Sequence, residues 1–232
     1  MVLHLPLSAI DEANRPPLHY LWVQDVCTIG GGTLWTIAYV LYIVQARKDK
    51  SYGMPLVALC ANMGWELAYS VFYPLSYIET ASLLLWVLID LGLVFATVKF
   101  GVKQWSLAVI IGVGCVASLV IHCGFIKMCA SRVEASFWSG FACQSLLGVL
   151  SVIQIVSRGH TNGHSRVIWL CRWAGSSLAT IVFLWRHYNY PASYPYVGTS
   201  TAAFLLVLPQ LVDFIYLSVY NQIDKQVDKK TR

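Results

Sequence analysis

Leu107–Ile126 reads LAVIIGVGCVASLVIHCGFI, twenty consecutive residues without an Asp, Glu, Lys or Arg. Wound as an α-helix at ~1.5 Å per residue, such a run is about 30 Å long, the thickness of a bilayer's hydrocarbon core. It is continuously apolar and lacks the strict alternation of a barrel strand. A transmembrane helix is the reading. Six further runs of similar length and character flank it: Val26–Val44, Met54–Tyr73, Ala81–Phe100, Phe137–Val156, Val167–Trp185 and Thr199–Tyr220. The expected fold class is therefore all-α: a polytopic membrane protein, one domain over residues 1–232, built as a bundle of seven transmembrane helices. Because the connections are short, consecutive helices are expected to be antiparallel neighbours. Composition agrees, with 57% hydrophobic residues, 12% charged residues and a mean hydropathy of +0.62. That charged share is about half of what a soluble domain carries.

The loop charges orient the bundle. Arg47, Lys48, Lys50, Lys99, Lys103, Arg158, Arg166, Lys225, Lys229, Lys230 and Arg232 fall on one side, against Arg15, Lys127, Arg132 and Arg186 on the other. The richer side is expected in the cytoplasm, with the N-terminus in a lumen or outside, which an odd number of spans requires. The net charge of +5 is thus explained by topology. It forms no basic stripe, so nucleic-acid binding is not expected. No cleavable signal peptide is expected, because the segment before the first run is acidic and Pro-rich (Asp11–Pro17) rather than basic. The seven cysteines lack metal-ligand spacing and read as packing residues, with Cys123–Cys129 the one pair placed to bridge a loop. Gly30–Gly32, and Gly112 with Gly114, suggest close helix approach.

Four charges lie deep inside the apolar runs, away from their ends: Glu66, Asp90, Arg172 and Asp213. A charge at mid-bilayer costs at least ~2.5–3.5 kcal/mol, so each one demands a partner or a function. From the helical rise, Glu66 lies ~18 Å from the cytoplasmic end of its span and Asp90 ~14 Å from the lumenal end of the next. The two share a level. Arg172 and Asp213 share a second, ~8 and ~10 Å inside the cytoplasmic boundary. Two pairings are expected: an ion pair between Arg172 and Asp213, and two crowded carboxyls, Glu66 and Asp90, of which at least one holds a proton at neutral pH. Asn62, Tyr69 and Tyr73 fall on the face of Glu66, and Gln210, Tyr216 and Tyr220 on that of Asp213. Trp65, Trp86, Trp169 and Trp173 lie nearby. Most of the nine tryptophans read as packing or interfacial anchors. Trp65 and Tyr69 are deep enough to line a pocket that stabilises a cation. His122 reads as structural.

Seven helices admit several functions. An opsin requires a lysine in its last span, and there is none between Thr199 and Tyr220; the Asp-Arg-Tyr and Asn-Pro-x-x-Tyr motifs of receptors are also missing. A small proton-coupled transporter of the Pro-Gln-loop type is the alternative reading, on Leu208-Pro209-Gln210-Leu211, although no second copy occurs in the first half.

The third reading is an enzyme. The segments Asp49–Met54, Cys60–Glu66, Tyr69, Tyr73-Pro74, Lys99-Phe100, Ser157–Gly163, Trp169–Trp173 and Gly175-Ser176, through to Asp213, resemble the fungal integral membrane terpene cyclases of meroterpenoid and indole-diterpene biosynthesis, the family that includes the paspaline cyclase. The Asn-x-x-Trp-Glu and Ser-Arg-Gly-x-Thr-x-Gly segments are its specific parts, and the likeness covers most of the chain. The resemblance implies protonation of a terminal epoxide on a prenyl chain, followed by attack of neighbouring alkenes on the resulting cation. It places the catalytic acids at Glu66 and Asp213. Asn62, Trp65, Tyr69, Asp90, Arg172, Trp173 and Tyr216 are then the expected substrate-binding set, with Asp90 serving as hydrogen-bond support. Arg158 reads equally as loop structure or as a substrate contact. No cofactor and no metal are expected, since the Asp-Asp-x-x-Asp and Asp-x-Asp-Asp motifs of diphosphate-ionising cyclases are absent. The implied partners are an epoxidised prenyl-arene, membrane lipid, and an upstream prenyltransferase and epoxidase, in the endoplasmic reticulum membrane. Phenolic, pyranone and indole heads all fall within the family's range, and the aromatic loop from His187 to Tyr196 is either a specificity element or an interfacial anchor.

Overall fold

A computed structural model describes residues 4–101 and 103–231, with side chains through Val227; Lys229, Lys230 and Arg232 of the charge count therefore lie outside the described side chains. Every regular element among the described residues is helical: α1 (Ala9–Asn14), α2 (Leu18–Asp49), α3 (Leu56–Leu67), α4 (Tyr77–Phe100), α5 (Gln104–Met128), α6 (Arg132–Arg158), α7 (Arg166–Asn189) and α8 (Ser200–Thr231). A π-helical turn, Ala68–Phe72, continues α3, and a 3₁₀ turn, Pro195–Gly198, precedes α8.

The helices outrun their apolar runs because polar residues cap them. Ser76 and Glu79 form a reciprocal capping box at the start of α4, and Ser131 and Ser165 cap α6 and α7. Gly159, at φ 65°, closes α6 in the left-handed conformation that glycine adopts without strain. Helix α7 continues past Trp185 to Asn189 and carries Arg186 into the bundle.

Six helices are long and apolar enough to cross a membrane: α2, α4, α5, α6, α7 and α8. The remaining apolar segment, Leu56–Phe72, is shorter. At ~1.5 Å per residue it reaches about 25 Å, less than the ~30 Å core. Its last turn is wide, with the Tyr73 amide bonding back to the Ala68 carbonyl at 2.8 Å, and Pro74 follows.

Close approaches set the packing. A Cβ on Gly31 of α2 would sit 3.3 Å from the Gly175 carbonyl of α7. Gly64 of α3 has no room beside Ser118 of α5, nor Gly114 beside Cys60. Gly112, expected to pack, faces open space instead. All seven cysteines are free, Cys123 and Cys129 included. At one end, Asp49 accepts from the Gly163 amide at 2.8 Å, and Arg158 donates to the Tyr52 carbonyl at 2.7 Å while lying over its ring. Two of the segments that carry the family likeness therefore clasp each other there, and Arg158 serves the clasp. The outer surface is apolar, as on α5, where Val109, Val113, Val116 and Val120 are all exposed.

Candidate active site

Helices α2, α3, α4, α6 and α7 enclose a cavity with an empty volume of about 1180 Å³, counted with its opening. Trp35, Trp65, Trp86, Phe141 and Phe183 give it aromatic walls. Tyr39 and Asn62 lie at one end, and Glu79 and Arg186 lie at the other. Tyr39 packs edge-on to both Trp35 and Trp86. The Trp86 indole is fixed by a 2.8 Å bond to Thr36, and the Trp65 indole by a 3.0 Å bond to Ser139.

Behind Tyr39 and Asn62 sit both carboxyls expected to crowd. Asn62 lies one helical turn before Glu66 on α3, which aims their side chains together. The Asn62 amide nitrogen is 2.8 Å from Glu66 Oε1, 3.1 Å from Asp90 Oδ2 and 2.7 Å from the Tyr39 hydroxyl oxygen. The Tyr39 hydroxyl donates to the same Glu66 oxygen at 3.1 Å. Glu66 and Asp90 are fully buried, and Glu66 Oε2 and Asp90 Oδ1 lack hydrogen-bond partners among the described residues. Three oxygens face an amide that has only two hydrogens. With the Tyr39 hydroxyl the cluster has three hydrogens for four contacts, and a proton on one carboxyl removes the charge repulsion of two acids sharing one buried amide.

A second buried cluster lies one helical turn further along α2, α6 and α7. Arg172 and Asp213 form the expected ion pair. Arg172 also donates to the Tyr42 hydroxyl at 3.2 Å and to Ser151 at 3.4 Å, and its guanidinium covers the Tyr216 ring. Trp169 donates to the Asp213 backbone carbonyl at 2.8 Å. Tyr216 bonds His164 at 3.0 Å. Burial, reinforced by the Arg172 and Arg158 cations, pushes the His164 imidazole down to about 3, so it is neutral.

The expected residues thus divide between two places. Asn62 and Trp65 line the cavity, and Glu66 and Asp90 stand directly behind its end wall. Tyr69 points at Ser139, behind the lining. Arg172, Asp213, Tyr216 and Trp173 lie outside the lining, the last stacked on Trp169. His122 contacts Cys143. Tyr39, Tyr42, His164 and Arg186 escaped the sequence reading. For the tyrosines a signal existed: Thr28, Gly32, Trp35, Tyr39 and Tyr42 recur at helical spacing along one stripe of α2.

The model of a protein family described as Pyr4-like transmembrane terpene cyclases matches residues 10–226. The chain is 43% identical to the Pyr4-family terpene cyclase mfmH of Annulohypoxylon moriforme, over 99% of this chain and 98% of that protein. It is 33% identical to the terpene cyclase macJ of Penicillium terrestre, over 94% and 90% of the respective lengths. It is 31% identical to the terpene cyclase atmB of Aspergillus flavus, over 90% and 93%.

Proposed function

The chain belongs to the Pyr4-like transmembrane terpene cyclases, and we propose that it protonates the terminal epoxide of a prenylated aromatic or indole intermediate and directs cyclisation of the chain. The observation that carries this reading is the Asn62 amide, within hydrogen-bond reach of both Glu66 and Asp90 at the end of an aromatic cavity.

Glu66 is the proposed general acid. Tyr39 and Asn62 hold its Oε1, which fixes the carboxyl and leaves Oε2 to carry the proton. Asp90 shares the Asn62 amide, so two carboxylates would repel each other in a low-dielectric site and one proton remains with the pair. The proton passes to the epoxide oxygen as the bond from that oxygen to the tertiary carbon breaks. The nearest alkene attacks the cation, and loss of a proton ends the cascade. Trp35, Trp65 and Trp86 offer π faces to the positive charge, and an apolar lining keeps out the water that would quench it. Asp213 acts through Arg172, fixing the helices beneath the cavity's end wall.

The proposal extends to seven spans, with Leu56–Phe72 as the short one, and to a cytoplasmic C-terminus in the endoplasmic reticulum membrane. Loop charge supports that orientation, and protease added to sealed microsomes should remove a C-terminal tag. An upstream prenyltransferase and epoxidase would supply the substrate.

The test is feeding epoxidised prenyl-arenes to a fungal host expressing Glu66→Gln or Asp213→Asn. Product should fall by about 10²–10⁴-fold for the acid variant, with protein still in the membrane fraction. Substantial cyclisation by Glu66→Gln removes that residue from the mechanism. Uptake of an unchanged solute into vesicles would instead support a transporter.

A further inference from the structure

At the end of the cavity opposite Asn62 stands a cation that cyclisation does not use. Arg186 lines the cavity and is nine-tenths buried, with side-chain exposure of 9%. Its guanidinium is held from behind: Nε donates to Gln24 Oε1 at 2.7 Å, and Gln24 donates in turn to the buried Asp11 at 3.2 Å. The rings of Phe183 and Tyr194 flank it. Its nearest anion is Glu79, at 3.9 Å, too far for a hydrogen bond. Glu79 is drawn away by its own helix, because its Oε2 accepts from the Ser76 amide at 3.2 Å and from the Ser76 hydroxyl at 2.8 Å. Among the described residues, the terminal nitrogens of Arg186 make no hydrogen bond. They form a fixed, buried fork of donors.

The spacing suits a substrate with two polar ends. Along α2, from Tyr39 to Thr28, the acid end and the arginine end are roughly 16 Å apart at the helical rise, with aromatic walls between. A folded prenyl chain fills that interval when its epoxide lies at the Tyr39 and Asn62 end, in front of Glu66, and its aromatic head reaches Arg186.

We infer that Arg186 is the specificity-determining anchor for the head group, and that it selects a ring bearing hydrogen-bond-accepting oxygens, a phenol or pyranone, over an indole. Arginine only donates, and an indole N–H only donates, so the two cannot hydrogen-bond, and Phe183 and Tyr194 already flank the guanidinium on which an indole would stack. A ring carbonyl, enolate or phenolate oxygen can accept from the fork. This inference rests on the cyclase reading and deepens it.

The experiment compares two epoxidised substrates with the same prenyl chain, one on a pyranone and one on an indole. In Arg186→Met, KM for the pyranone should rise about 10–100-fold, the loss of a charge-assisted hydrogen bond, with kcat nearly unchanged and KM for the indole unmoved. Glu79→Gln, which keeps Arg186 and removes its competitor, should lower KM for the pyranone. It also serves if the arginine variant does not fold, as thermal melting in detergent would reveal. Equal losses for both heads in Arg186→Met, or no response of the pyranone KM to Glu79→Gln, would overturn the anchor. Binding is read separately, by quenching of cavity tryptophan fluorescence in a Glu66→Gln background. Wild-type protein that cyclises neither compound refutes the cyclase reading alone, and discrimination in the binding measurement still decides the anchor.

Discussion

A single amide organises the proposed acid. Asn62 faces Tyr39, Glu66 and Asp90 at once. Glu66, Asp90 and Asn62 were legible in the sequence because carboxyls in an apolar run are costly, and an amide one turn away is a ready partner. Tyr39 was not, because an aromatic residue in a span reads as packing. Arg186 was hidden for a different reason. It follows the last apolar residue of its run and counts as a loop charge, yet the helix carries on and buries it. The Arg172–Asp213 pair yields a prediction at the same scale. Arg172→Met leaves Asp213 buried without its cation, which costs about 3–5 kcal/mol and should lower the melting temperature in detergent markedly. Replacing both residues, in Arg172→Met with Asp213→Leu, should restore much of that stability and, with the helices fixed again, part of the cyclisation. A double variant no more stable than the single one would mean that the ion pair is not what the helices require there.

Helices α2, α3 and α7 do most of the positioning, and glycines set their distances. α5 was read from sequence with little error because an unbroken apolar run leaves no other structure that satisfies its backbone in lipid. α3 was harder. Its run was expected over Met54–Tyr73, and the helix covers Leu56–Phe72, starting after Pro55 and closing in a wide final turn before Pro74. Buried as it is between α4, α5 and α6, a short helix carries the proposed general acid without itself needing to reach both interfaces. Gly64 is the contact that lets α3 lie close to α5, since a Cβ there would fall 2.3 Å from the Ser118 hydroxyl oxygen. Gly64→Leu should cost about 1–3 kcal/mol by overpacking and displace Glu66, two residues on, from Tyr39 and Asn62. A thermal melt paired with an activity assay checks this, and unchanged values in both would show that α5 yields freely. Gly112→Leu, with nothing within 4 Å, is the matched control.

At the scale of the whole molecule, the bundle is inside-out by the standards of a soluble enzyme. Its interior polar residues form a column: Arg186 with the partly exposed Glu79 at one end, Asn62 with its two buried carboxyls in the middle, and the buried Arg172 with Asp213 below. Hydropathy made the apolar exterior legible. The column was only half legible, because which way each helix faces depends on packing that one-dimensional spacing does not carry. The valines that α5 turns outward have a consequence for kinetics. The proposed prenylated substrate would dissolve in the lipid that such valines face, and the enzyme would then encounter it in two dimensions. Its velocity should follow the mole fraction of substrate in the bilayer rather than molarity in the assay tube. Adding inert phospholipid at constant total substrate and enzyme should slow turnover by surface dilution, and a rate indifferent to lipid would mean that substrate arrives through water.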